Sequence, residues 1–215
     1  MFSTRDLSLL PDINNLKLLS QALAMLDAIL EPDWDMRYYS FNAHWETDEA
    51  MASMRDGSGD DYFILFNPTG AILKGFAHES MMSPYQSTPP RVWPGVLDNV
   101  PEIFSAFLLE PAFTVSDTTF CIWRTQHDAS WQQGNIQFPD AVDPNGSADL
   151  HLLAILDGNP QTYQQWAEGY YERLVNLSAV TQIYEHRPLS QEIVKLLNAG
   201  TSLSDVADDA KEIGY

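Results

Sequence analysis

Tyr62-Phe63-Ile64-Leu65-Phe66-Asn67-Pro68-Thr69-Gly70-Ala71-Ile72-Leu73-Lys74-Gly75-Phe76-Ala77 is the stretch on which the fold turns. Its two arms are aromatic and aliphatic, types that suit a pleated, covered surface. Between them, Asn67-Pro68-Thr69-Gly70 carries Pro at the second turn position and Gly at the fourth, the signature of a type I turn. The spacing predicts a β-hairpin with arms at residues 62–66 and 71–77. The apolar run is almost unbroken on both arms, as expected of strands covered on both faces.

Working outward, residues 50–55 give a weaker strand and residues 36–44 a stronger one, rich in Tyr and Phe. Together with the hairpin they predict a β-meander. Ahead of it, Leu16, Leu19, Leu23, Leu26 and Leu30 recur at helical spacing, with Asp12 or Asn14 as cap and Pro32 as stop. Downstream, Pro84, Pro89, Pro90, Pro94 and Pro101 mark residues 81–101 as a long loop or crossover. Residues 102–109 return to helical spacing, residues 118–124 read as a strand, and residues 140–149 form a second polar stretch. The C-terminal third reads as helices: one over 150–156 capped by Ser147, and one capped by Thr162 with Tyr163, Trp166, Ala167, Tyr170, Tyr171 and Leu174 on one side. A third starts at Ser190 and stops at a left-handed Gly200; a short acidic one opens at Ser204. This order predicts a single α+β domain over residues 1–215, an antiparallel β-meander packed with the N-terminal helix and a helical C-terminal third.

The chain of 215 residues carries 11 Lys and Arg against 30 Asp and Glu, a formal charge of −19. Such a surface repels phosphate backbones and anionic membranes and steers basic protein partners toward it. The acidic residues concentrate near 33–49, 56–61 and 205–212. A lone cysteine, Cys121, fits a reducing compartment. The first residues are too short a run for a signal-peptide core, and no stretch approaches the roughly 18 apolar residues of a membrane span. The expected location is the cytoplasm.

Motifs for most chemistries are incomplete. His78-Glu79-Ser80-Met81-Met82 begins a zinc-binding H-E-x-x-H pattern and fails at its last position. Asp143-Pro144-Asn145-Gly146 matches only the centre of a calcium loop, and Asp56, Ser58, Asp60 and Asp61 lack the central glycine. Gly57-Ser58-Gly59 lacks a third glycine, and its acidic flanks disfavour phosphate. Cys121, between Phe120 and Ile122, reads as a buried thiol. No metal and no cofactor is expected. Two clusters join Trp to acidic groups: Trp45, Glu46, Asp48 and Glu49, and Asp128 with Trp131. Aromatic anchors rimmed by acids suit a basic protein partner.

Glu110-Pro111-Ala112-Phe113, Thr119-Phe120-Cys121-Ile122-Trp123-Arg124, Asp157-Gly158-Asn159-Pro160, Tyr163, Trp166-Ala167 and Tyr170-Tyr171-Glu172 together resemble segments of bacterial proteins grouped with the immunity proteins of polymorphic toxins. The resemblance covers the C-terminal half. It implies a small, acidic, cytoplasmic and non-enzymatic protein that neutralises a toxin by binding it. Two other readings stand beside it: a hydrolase whose site gathers His44, His78 and His127 with nearby carboxylates, and a regulatory module that docks partners through residues 81–101.

Overall fold

The computed structural model describes residues 3–139, 146–148 and 150–215. Six strands form one antiparallel sheet in the order β1-β2-β3-β4-β5-β6, so that every strand pairs with its neighbour in sequence. They are β1 (Tyr39–Glu46), β2 (Glu49–Arg55), β3 (Asp61–Asn67), β4 (Gly70–Phe76), β5 (Phe120–Thr125) and β6 (Gln132–Gln133). The hairpin of β3 and β4 closes with Asn67 opposite Gly70. There Asn67 Oδ1 accepts from the amides of Thr69 (3.0 Å) and Gly70 (3.1 Å).

The expected double burial holds. Alternate residues feed two cores: Tyr62, Ile64, Phe66, Ala71, Leu73, Phe120 and Ile122 lie in one, and Phe63, Leu65, Ile72, Cys121 and Trp123 in the other. Gly75 is required by the first face, because a Cβ there would stand 2.1 Å from the Phe120 ring.

The helix α1 (Ile13–Leu30) covers the first face along β1. Asp12 is its cap, accepting from the Asn15 amide at 2.9 Å. Four further helices close this layer: α4 (Pro160–Tyr170), α5 (Leu177–Tyr184), α6 (Gln191–Leu197) and α7 (Ala207–Ile213). The short α3 (Leu150–Ala154) runs into a 3-10 turn at Ile155–Asp157. Asn159, not Thr162, caps α4, since Pro160 fits the first helical position and the Thr162 hydroxyl bonds Asp157 instead. Ser190 caps α6 as expected, accepting from the Ile193 amide at 3.3 Å. That helix ends at Leu197 with Asn198 as its C-cap, the Asn198 side-chain amide reaches the Ile29 carbonyl, and Gly200 is not left-handed. Ser204 caps nothing, because α7 starts later and has no side-chain cap. The centre of the calcium-like loop, Asp143-Pro144-Asn145, lies outside the described residues.

The proline-rich stretch is the cover of the sheet's second face. Met82 and Val96 are fully buried there, with Phe107 from α2 (Ser105–Leu109) and Phe104 and Phe113 from the turns beside it. Lys74 pins this cover from below. Its side chain is fully buried, and Nζ donates to the carbonyls of Phe113 (2.8 Å) and Asp117 (2.7 Å), with Asp61 at 3.5 Å. No helix among the described residues is long and apolar enough to cross a membrane.

Candidate functional site

The residues singled out from sequence do not converge. Glu46 and Asp48 are exposed on the β1–β2 turn, and the half-buried Glu49 accepts from Asn67 Nδ2 at 3.4 Å. Asp48 and Glu49 line a shallow cleft of about 390 Å³, but Lys17 lies in it too. Asp128 lies at the same end of the sheet, beyond β3 and β4. Its carboxylate accepts from the Thr125 amide (2.8 Å), which holds its pKa below the usual range. Trp45 is half-buried and stacks on Phe113 at 5.8 Å, joining the second core.

Trp131 is a correction. It is 5% exposed, and its indole Nε1 donates to the Pro11 carbonyl at 2.7 Å. The two-residue β6 pairs with Ile122 and Trp123 and folds Trp131 under the segment that precedes α1. It is therefore no surface anchor.

The three histidines are also kept apart. His44 lies near the end of β1 and His127 follows β5, and four strand spacings of roughly 4.8 Å separate those strands. His78 follows β4 at the opposite end of the strands. Among the described residues no group of three or more His, Cys, Asp or Glu could hold a metal ion. Cys121 is buried, and burial pushes its thiol up to about 12, which makes it inert.

A cavity of about 450 Å³ lies at that opposite end, between α4 and the β2–β3 loop. Its walls are aromatic. Trp166 and Tyr170 stand at i and i+4 on α4 and so share a face. Their rings are nearly parallel, 10° apart with centroids at 5.5 Å. Tyr38, from the entry to β1, meets both edge-on, at 5.0 Å and 4.5 Å. Tyr39, Met54 and Leu152 complete the apolar lining.

The rim is acidic. Asp56 Oδ1 accepts from the amides of Ser58 (2.7 Å), Gly59 (3.0 Å) and Asp60 (2.9 Å). This folds the Gly57-Ser58-Gly59 turn around its own carboxylate and consumes the amides an anion would need. Asp60 Oδ1 accepts from the His78 amide (2.8 Å) and contacts His78 Nδ1 (2.6 Å). That bond raises the His78 pKa by favouring the imidazolium. No Lys or Arg among the described residues lines the cavity.

A further carboxylate lies behind the wall. Asp27 of α1 is fully buried and accepts from the amides of Tyr38 and Tyr39 (2.9 Å each) and from the Tyr163 hydroxyl (2.6 Å). Burial, partly offset by these bonds, raises its pKa to about 6. The negative field reaches the cavity: Tyr38 is raised by burial and by Asp56, and Tyr170 by burial and by Asp27.

Sequence reasoning placed Trp166 and Tyr170 on one helical face but had no means of facing Tyr38, Asp56 and Asp60 toward them. The signal that could have found the site is the aromatic pair spaced four apart in α4, set against a Tyr-Tyr pair at the start of a strand. In comparisons with known proteins, the chain matches no family model, no curated protein and no solved structure.

Proposed function

We propose that this chain is a non-enzymatic binding protein of the immunity or inhibitor type, acting in the bacterial cytoplasm on a basic protein partner. One observation carries the reading: an aromatic cavity rimmed by Asp56 and Asp60, with no Lys or Arg among its described lining residues, on a chain of charge −19. Aromatic anchors supply contact area at low entropic cost, and the surrounding field steers a basic partner and makes association sensitive to salt. The test is titration against basic toxin domains, beginning with any encoded by an adjacent gene. Tight association that weakens steeply with salt is expected. Absence of salt-sensitive binding to any of them would remove the reading.

A second reading, a hydrolase, draws on the His78–Asp60 contact of 2.6 Å at the cavity mouth. A carboxylate that orients an imidazole is one half of an acid–base device. Turnover of neutral ester substrates that disappears in His78→Ala would favour it over binding.

A further inference from the structure

We infer that the cavity between α4 and the β2–β3 loop is a receptor for a guanidinium group, the side chain of a single arginine on the bound partner. This rests on the binding reading above and says what that reading leaves open, namely which chemical group the partner must present.

Three features of the cavity select the ligand. The first is its shape. Trp166 and Tyr170 stack on one another with Tyr38 edge-on to both, and the partly exposed Tyr170 ring is a face on which a planar, weakly hydrated cation stacks at little cost. The second is acceptor capacity. In Asp56 and Asp60 the hydrogen bonds described above all go to Oδ1. No donor among the described residues takes either Oδ2. Two carboxylate oxygens at the rim thus remain for the N–H groups of an incoming fork. The third is charge. Asp27 lies behind the wall, Asp56 and Asp60 lie at the mouth, the lining described holds no Lys or Arg, and its one basic group, His78, is paired with Asp60 Oδ1 and so leaves Asp56 without a basic partner in the lining.

Other ligands fit worse. An anion meets the two rim carboxylates and finds the loop amides already taken by Asp56. A neutral apolar group would cover those carboxylates without pairing them. A lysine ammonium is compact and strongly hydrated and makes poor use of a flat ring face.

The experiment is a solution NMR titration of the full chain with N-acetyl-arginine amide, following the Trp166 indole N–H and the α4 amides. Parallel arms use N-acetyl-lysine amide, N-acetyl-citrulline amide and tetramethylammonium. Citrulline keeps the shape of arginine and removes its charge. We expect saturable shifts with the arginine probe, weaker ones with lysine, and none with citrulline. Tyr170→Leu, at a site 38% exposed, should weaken arginine about three- to thirtyfold without loss of fold. Gln165→Arg, on the exposed rim, should fill the cavity from within and abolish the shifts even if Tyr170→Leu proves unstable.

Equal shifts with citrulline would overturn the role of charge, and tighter binding of tetramethylammonium would overturn the guanidinium assignment. If no probe binds while a basic protein still does, the cavity inference falls and the binding reading survives. If the arginine probe binds and no basic protein does, the site stands and the binding reading falls.

Discussion

Asp27 is a carboxylate in a place where ionisation is costly. Its pKa rises from 3.8 to about 6 because burial outweighs its hydrogen bonds. The folded state therefore holds the proton more tightly than the unfolded chain does. The stabilisation from that proton is complete below pH 3.8 and is lost as pH rises through about 6. Such a difference between the folded and unfolded chain corresponds to about 3 kcal/mol. Asp27→Asn keeps an oxygen for the Tyr38 and Tyr39 amides and turns an NH2 toward the Tyr163 hydroxyl, which can accept, all without the charge, so its stability relative to the parent should improve by up to that amount between pH 4 and pH 7. Urea unfolding at both values checks this; an unchanged difference would sink it. Lys74 poses the reverse problem. Lys74→Met fills the same space but leaves the carbonyls of Phe113 and Asp117 and the Asp61 carboxylate without their donor. A loss of about 3–5 kcal/mol is expected in thermal or urea unfolding. Neither residue was legible beforehand. Asp27 lay within an apolar helical stripe and Lys74 within a strand, and only tertiary packing shows that each is buried and which groups it holds.

At the scale of elements, the strands were legible wherever the pattern was strong. The β3–β4 hairpin fell where its turn residues put it, and β5 was found by its aromatic content. The misses share a cause. The helix α5 has a short apolar sequence, Leu177–Tyr184, capped by Asn176, and gains its order from α1, α4 and α6. The strand β6 has two glutamines and exists only because β5 offers an edge. Cap assignments failed where two candidates competed, as with Asn159 and Thr162. The contact between β4 and β5 leaves no room at Gly75. Gly75→Ala would drive a methyl into the Phe120 ring, with 2.1 Å between them before relaxation. A loss of about 1–3 kcal/mol is expected on chemical unfolding. A neutral result would mean that Phe120 has room to move.

At the scale of the whole molecule, the proline-rich stretch changes meaning. Composition made residues 81–101 a candidate docking loop; Met82 and Val96 tie that stretch into the second core, while residues 85–91 stay exposed. Val96→Asp would place a carboxylate among Phe104, Phe107 and Trp123 of that core. It should cost about 3 kcal/mol or more, whereas Leu109→Ser, at a site 79% exposed, should change stability by less than about 0.5 kcal/mol. Differential scanning calorimetry separates the two. A docking loop would tolerate Val96→Asp and lose only partner capture. The general character of the site, acid beside aromatics, was legible from composition, but its place was not, because its parts come from α4, from the entry to β1 and from the β2–β3 loop.

The meander order has one more consequence, for the chain as it leaves the ribosome. β1 to β4 pair with near neighbours, so they can assemble as soon as they emerge. β5 follows only after the whole roof segment. Until then β4 shows a bare and almost wholly apolar edge, the kind of template on which nascent chains stick to one another. Lys74 is the one charge in that strand, the kind of residue that blunts an unpaired edge, and in the finished fold the same side chain pins the roof.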